Sequence, residues 1–253
     1  MDIFDSHAHY LSDAFDDDRD ERLSSLFQNG VCGIVEAATD AESSKAAVTL
    51  AERYPSLYAA VGYHPECAAA ADEEGFAVIE RLLSHPKVVA VGEIGLDYHY
   101  DDGAPPDIQK AVFSRLLALA NDHGLPVVVH DRDAHEDTLQ LLKIYKPRGV
   151  VHCFSGSVEM AREIVKLGMY IGIGGVVTFK NARKLVEVAR ELPLNRLLLE
   201  TDAPYLAPVP LRGHRCDSSM ICHTAAAIAA IRGIPTDEVL QTAEQNARSL
   251  FNL

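Results

Sequence analysis

Two histidines near the start of the chain have the spacing of metal ligands. His7 and His9 are separated by one residue and follow the short apolar run Ile3-Phe4, which predicts a strand. Residues i and i+2 of an extended strand point to the same side, so both imidazoles can approach one metal ion. A pair of this kind is a weak signal alone, because two polar residues in a surface loop give the same pattern. Its interpretation depends on whether further ligands occur downstream.

Such residues do recur, each at the end of another apolar run. They are His64, Glu93, His130, His152 and Asp202. Neutral imidazoles and carboxylates together bind divalent ions of borderline softness, and a carboxylate placed between two ions can bridge them. A buried histidine or a helix-capping acid explains any one of these residues, but it does not explain why all of them follow strands. Buried charged groups are normally paired or bound to metal.

We therefore predict one to two divalent ions per chain, drawn from Zn, Mn, Mg, Co or Fe, with Glu93 as the bridging carboxylate. The ligands expected for one ion are His7, His9, Glu93 and Asp202. The ligands expected for the second are Glu93, His130 and His152. Two ions about 3.5 to 4 Å apart can hold a bridging hydroxide and neutralise the oxyanions of an in-line displacement. Asp202 is then also close enough to accept the proton of the attacking water, so Glu93 and Asp202 are the predicted catalytic residues.

Eight strand candidates alternate with helical stretches along the chain. The strands are predicted over 3–7, 33–37, 58–62, 88–93, 126–130, 149–152, 170–173 and 197–200, and the clearest helices over 107–122, 157–167, 182–191 and 236–251. Most of the strands are continuous apolar runs, as expected of parallel strands covered on both faces. This pattern predicts an α/β protein with a single (β/α)8 TIM barrel over residues 1–253, whose catalytic groups lie at the carboxyl ends of the strands.

A doubly wound sheet is the competing architecture, but it needs a glycine-rich phosphate loop. Gly172-Ile173-Gly174-Gly175 follows a strand without completing GxGxxG.

The overall composition limits the location and the partners of the protein. No run of 18 apolar residues is present, and the five cysteines form no CxxC pair, so we expect a cytoplasmic protein with reduced thiols and no membrane partner. The net charge of −14 repels nucleic acid at long range, so a polyanionic substrate would need local cations or metals.

The ordered sequence blocks resemble those of the TatD-type deoxyribonucleases, metal-dependent hydrolases among the amidohydrolase-like barrels. The resemblance covers nearly the whole chain, in the blocks at 4–9, 61–65, 92–98, 126–130, 152–156 and 200–208. It implies a TIM barrel, a centre of one or two metals and hydrolysis of DNA phosphodiesters, often from an end. The ligand pattern of the family falls on His7, His9, Glu93, His130, His152 and Asp202, in agreement with the assignment made from the residues themselves.

One loop departs from the family pattern. After Arg212-Gly213 the family usually continues with Lys, Arg, Asn, Glu and Pro, whereas this chain has His214-Arg215-Cys216-Asp217-Ser218. The loop follows the eighth strand and borders the site, so it bears on substrate choice. We predict Arg132, Arg212 and Arg215 as phosphate-binding residues, although an arginine in an acidic protein often forms only a surface salt bridge. His64 either lines the pocket and donates to substrate or only shapes its loop, and we favour the first role.

Three functions are compatible with these observations. The expected one is a monomeric phosphodiesterase that cleaves DNA from an end, or a small phosphodiester, by metal-activated water. A metal-dependent hydrolase of a small amide, ester or lactone is the alternative, because metal hydroxides serve acyl and phosphoryl transfer alike. A noncatalytic scaffold is the third, but it leaves the complete ligand set without a purpose.

Overall fold

Eight parallel strands form the centre of the molecule. The computed structural model describes residues 2–100 and 102–253, and within these the strands are β1 Ile3–Ala8, β2 Val31–Ala37, β3 Leu57–Val61, β4 Val88–Asp97, β5 Val127–Arg132, β6 Gly149–Val151, β7 Tyr170–Ile173 and β8 Leu197–Leu199. They are hydrogen-bonded in the order of the sequence. The barrel closes between β1 and the segment after β8, where Ala8 forms a parallel bridge with Ala203. The predicted (β/α)8 barrel is confirmed.

Helices alternate with these strands and cover the outside of the barrel. Over the described residues they are α1 Arg19–Gln28, α2 Ala41–Glu52, α3 Glu73–Leu82, α4 Pro106–His123, α5 His135–Tyr145, α6 Val158–Lys166, α7 Arg183–Glu191, α8 Ile221–Arg232 and α9 Thr236–Phe251. Side chains at Asp40, Asp72 and Ser157 cap α2, α3 and α6 by accepting bonds from backbone N–H groups of the first turn. The four helices predicted from the sequence agree with the observed bounds to within one residue at each end.

The barrel interior below the site is filled by small and branched apolar side chains. Val128, Val150 and Leu198 are fully buried there. Each lies two residues before a polar group of the strand end, and side chains two apart point to the same side. Phe251 of α9 stacks on Phe4 with ring centroids 6.2 Å apart, which closes the opposite end of the interior. The core therefore provides a rigid floor and directs the polar groups to the carboxyl ends of the strands.

β4 is the strand that differs most from its predicted bounds. We expected it to end at Glu93, but it continues to Asp97. The ladder to β5 extends as far as the pair Asp97 and Arg132. Gln109 of α4 fixes this extension, because its side chain donates to the Asp97 carbonyl and accepts from the Asp97 N–H, both at 2.8 Å. A contact with a later helix thus lengthens the strand and brings Asp97 beside the site.

No helix within residues 2–100 and 102–253 has both the length and the apolar character that crossing a membrane requires.

Candidate metal centre

The six predicted ligands converge at the carboxyl ends of the strands. His7 and His9 come from β1 and the residue after it, Glu93 and His130 come from β4 and β5, and His152 and Asp202 follow β6 and β8. All but His7 line a pocket of about 780 Å³ at this end of the barrel, and His7 is fully buried beneath it. The structure therefore brings together side chains that are up to 195 residues apart in sequence (202 − 7).

We call His7, His9 and Asp202 the first group. The Nε2 atoms of its two histidines are 3.0 Å apart, and each lies 3.5 Å from Asp202 Oδ1. Glu93 Oε2 is 3.3 Å from the His7 nitrogen and 3.4 Å from that of His9. A tetrahedral ion with bonds of about 2.1 Å holds its ligand atoms about 3.4 Å apart. The spacing of these donors therefore fits a four-coordinate divalent ion.

We call His130 and His152 the second group, which faces the other oxygen of Glu93. Glu93 Oε1 lies 2.8 Å from His130 Nδ1 and 2.6 Å from His152 Nε2. These two nitrogens are 3.4 Å apart. Because the two oxygens of one carboxylate face different histidine groups, Glu93 has the position that a bridging ligand requires.

Second contacts of the histidines determine which nitrogen is free for a metal. His9 Nδ1 lies 2.9 Å from the Ala37 carbonyl, which can only accept, so this nitrogen carries the proton and Nε2 keeps its lone pair. His130 Nε2 donates in the same way to Asp97 Oδ2 at 2.9 Å and leaves Nδ1 toward Glu93. Carboxylate or carbonyl partners of this kind orient metal-binding histidines and fix their tautomer. Asp97 was not among the residues predicted from the sequence, although its position four residues after Glu93 could have suggested it.

His64 is close to the same carboxylate, but its hydrogen bonding differs. Its Nε2 lies 3.6 Å from Glu93 Oε1, and its Nδ1 accepts from the Glu66 N–H at 3.2 Å. Burial lowers the pKa of His64 to about 4, so the ring is neutral and Nε2 carries its single proton. A protonated Nε2 donates hydrogen bonds and does not ligate, which agrees with the predicted contact to substrate.

Electrostatics at the centre favour a bound cation. Burial alone would raise the pKa of Glu93, but the imidazoles of His152 and His7 outweigh it and hold that pKa well below its usual range. Burial would lower the pKa of His130, but Asp97 and Glu93 raise it to about 10, so an ion bound at Nδ1 would displace a proton from that nitrogen. The buried carboxylates therefore attract positive charge to this end of the barrel, and divalent ions are a suitable source of it.

A buried hydrogen-bond network holds the first group in place. Asp202 has a left-handed φ of 63°, and its N–H donates to the His7 carbonyl at 3.0 Å. Next to it, Thr201 donates to both oxygens of Asp5, through its N–H at 3.0 Å and its hydroxyl at 2.6 Å. Ser218 donates to Asp5 Oδ2 at 2.7 Å. Because non-glycine residues seldom adopt positive φ, this network is what keeps Asp202 aimed at the ligand cluster.

Glu200 lies behind the second group. It is 1% exposed, and burial raises its pKa to about 8. Its Oε1 accepts a hydrogen bond from the Cys153 N–H and lies 4.0 Å from His152 Nδ1. From the sequence this glutamate was predicted only as the last residue of the eighth strand, 197–200. The structure places it one contact away from a predicted ligand.

The three predicted phosphate-binding arginines occupy different environments. Arg132 lines the pocket. Arg212 is not among the described lining residues, and its guanidinium lies 3.9 Å above the ring of Phe179. Arg215 also lies outside them, where its Nη1 donates to Asp18 at 2.8 Å. The geometry favours phosphate binding by Arg132 only. Arg212 and Arg215 are not among the lining residues, and Arg215 is already paired with a carboxylate.

The barrel and the donor set together define a class of protein, the metal-dependent hydrolases built on a TIM barrel. A sequence model of the family described as TatD related DNase matches residues 4–252, and the chain belongs to this family. The predicted family and the predicted class of enzyme are confirmed.

Three relatives show how closely the chain follows this family. The metal-dependent hydrolase YabD of Bacillus subtilis is 42% identical, over 99% of this chain and 99% of its own. The 3′-5′ ssDNA/RNA exonuclease TatD of Klebsiella pneumoniae is 35% identical, over 99% and 98%. The crystal structure of YjjV, a TatD homologue of Escherichia coli, superposes with a TM-score of 0.92 at 36% identity, covering 99% of this chain and 98% of that one.

Proposed function

We propose that the protein is a metal-dependent phosphodiesterase that removes nucleotides from the 3′ end of single-stranded nucleic acid. The observation that carries the proposal is the carboxylate of Glu93, which two ligand groups share at the floor of a pocket that has Arg132 in its wall. The polarity and the substrate class follow the exonuclease of Klebsiella pneumoniae, which is similar over 99% of this chain.

The donors divide into two sets around Glu93. His7, His9, Glu93 and Asp202 would hold one ion, and Glu93, His130 and His152 would hold a second. Bound there, divalent ions would polarise the phosphoryl oxygen and supply hydroxide near neutral pH. Each oxygen of Glu93 faces a different set, Oε2 the first and Oε1 the second, so this side chain fixes the distance between the two sets.

Other side chains of the chain handle the proton and the substrate. Asp202 Oδ1 faces the two first-group nitrogens, which leaves Oδ2 to accept the proton of the attacking water. Arg132 donates to a non-bridging phosphate oxygen, for which its planar guanidinium is well suited. His64 donates its Nε2 proton to substrate, because its other nitrogen is occupied by the Glu66 N–H.

The charge distribution favours an end over an internal stretch of the strand. The net charge is −14. Among the described residues that line the pocket, Arg132 is the one Lys or Arg. Each phosphate contact on a single strand contributes a slope of about −0.7 to log affinity against log salt, so one arginine contact predicts a shallow dependence. An acidic surface with one pocket cation suits a terminal nucleotide better than a long polyanion.

The test is digestion of a labelled single-stranded oligonucleotide by protein loaded with Mn²⁺, Mg²⁺, Zn²⁺ or Co²⁺. We expect products that shorten one nucleotide at a time from the 3′ end, resistance of a blunt duplex, and inactivity after chelation. A panel of lactones, esters and amides runs in parallel. Turnover of that panel without any cleavage of nucleic acid would replace the proposal by the carbon-centred alternative.

Two arginine variants test the phosphate contact. Arg132→Ala should lower kcat/KM about 10- to 150-fold, the equivalent of about 1.5 to 3 kcal/mol for a hydrogen bond to a charged group. Arg212→Ala is the matched control, because its guanidinium stacks on Phe179 outside the pocket. Equal losses in the two variants would remove Arg132 from its proposed role.

A further inference from the structure

Two tyrosines at the mouth of the pocket are unusually open to solvent. Tyr100 is 49% exposed and Tyr205 is 57% exposed, and both line the pocket that contains the metal centre. Single exposed apolar side chains are common on protein surfaces. A pair of exposed aromatic rings at one catalytic pocket is more informative, because such rings are surfaces on which flat ligands stack.

Tyr100 is held in place although half of it is open. The guanidinium carbon of Arg132 lies 5.0 Å from its ring centroid, and Arg132 Nη1 donates to its hydroxyl at 3.2 Å. The ring of His99 packs edge-on against it at 5.0 Å, and His99 is itself bonded to Asp133 at 2.8 Å. The ring is therefore oriented before any ligand arrives, so little conformational entropy remains to be lost on binding.

Tyr205 is placed by the turn that carries a predicted metal ligand. Its N–H donates to the Asp202 carbonyl at 2.8 Å. Within residues 2–100 and 102–253 its ring has neither an aromatic nor a cationic neighbour in stacking range. The turn thus sets the backbone position of Tyr205 relative to the metal centre, and its exposed ring is available to a ligand.

We propose that Tyr100 and Tyr205 stack on nucleobases near the scissile phosphate, so that they select an unstacked single strand over a duplex. This inference rests on the proposed nuclease function and specifies how the same pocket recognises its substrate. Every base has a π face, so stacking tolerates any sequence, and a paired base cannot offer that face without leaving its helix. Arg132 would then serve two neighbours, the phosphate and the ring of Tyr100.

The experiment is a cycle of variants and substrates. The substrates are a single-stranded DNA 12-mer and the same strand with tetrahydrofuran abasic residues at its last two 3′ positions. Tyr100→Ala and Tyr205→Ala should each lower kcat/KM about 5- to 150-fold on the base-bearing strand, from the known contribution of one stacked base. On the abasic strand Tyr205→Ala should equal the wild type within about 2-fold, because the interaction is already absent. Tyr100→Ala should lose clearly less there than on the base-bearing strand, because only its contact with Arg132 is removed. Tyr205→Phe should keep the wild-type value, since the ring and not the hydroxyl is required.

Controls separate stacking from structural effects and from the function itself. Ile144→Ala removes another exposed side chain, 64% exposed near the end of α5, and should change neither substrate. Metal content of all variants should match the wild type. Equal losses on base-bearing and abasic strands would overturn stacking and leave the nuclease proposal standing. If the metal-loaded wild type cleaves no oligonucleotide, the proposed function falls and this inference falls with it.

Discussion

The two ligand groups that share Glu93 differ in how far apart their donor atoms lie. In the first group the separations, including those to Glu93 Oε2, run from 3.0 to 3.5 Å, close to the edge of a metal tetrahedron. In the second, Glu93 Oε1 is only 2.6 and 2.8 Å from its two nitrogens, which are hydrogen-bond distances. All separations of the first group therefore match the donor spacing of a tetrahedral ion, whereas in the second group only the two nitrogens, 3.4 Å apart, match it.

Their supports differ as well. The first group lies where the barrel closes and is held by backbone bonds and by the Asp5 network. The second group is held by side chains: His130 is hydrogen-bonded to Asp97 at 2.9 Å, and His152 lies 4.0 Å from Glu200. Preorganised donors lose less entropy when they bind. We therefore expect the first group to bind its ion more tightly, and the second to fill at higher metal concentration.

The largest expected effect comes from the shared carboxylate. Glu93→Gln keeps the shape but cannot bridge two ions, so both groups should lose metal and kcat should fall by roughly 10³ or more, the several kcal/mol that metal activation supplies. Elemental analysis and turnover measure these quantities. Glu66→Gln is the control, because Glu66 lines the pocket but its side chain is 58% exposed. Normal metal content in Glu93→Gln would show that the groups do not share this ligand.

Removing one histidine from each group tests which ion is held more tightly. His130→Ala should retain about one ion per chain after dialysis, whereas His9→Ala should retain less. Loss of a direct ligand should weaken its own group by more than the 10- to 100-fold typical of outer contacts. The measurement is metal content against free metal concentration. The opposite order, with His9→Ala keeping the tighter ion, would contradict the comparison.

A smaller effect is expected for the residue that orients His130. Asp97→Asn should weaken metal binding at the second group about 10- to 100-fold and leave the first group unchanged. Competition with a metal indicator dye measures both affinities. Asp133→Asn is the matched control, because Asp133 also pairs with a histidine, His99, but on the surface. Equal affinities for Asp97→Asn and wild type would show that the bond at 2.9 Å does not orient the ring.

The smallest effect concerns the support of the first group. Ser218→Ala deletes a hydrogen bond to the buried Asp5, so the free energy of unfolding should fall by about 1 to 3 kcal/mol, the cost of leaving a buried acceptor with one partner fewer. Urea denaturation of the metal-free protein measures it. Ser219→Ala changes an exposed neighbour and should stay within about 0.5 kcal/mol of wild type. An unchanged midpoint in Ser218→Ala would mean that this bond adds nothing to closure.

The ligand set could be predicted from sequence because each candidate follows an apolar run, and parallel strands in a barrel bring their carboxyl ends together. The choice among the arginines could not. The guanidinium of Arg215 is bound by Asp18, 197 residues away, and no local pattern encodes that pairing. The length of β4 depends similarly on Gln109 of a later helix. The order of the strands could be predicted from the sequence, whereas the paths of the loops and the partners of long side chains could not.

The closure of the barrel also determines the stage of folding at which the metal centre can form. Asp202 is reached only after about four fifths of the 253 residues have been synthesised, and it is held by a bond to the His7 carbonyl. Before that point the growing chain has the other five donors but lacks the residue whose bond to β1 closes the barrel, so we expect it to hold first-row ions loosely and to release them again. The full set of donors forms only when the barrel has closed. We therefore expect the ion to be taken up at the end of folding, from the metals available where folding is completed.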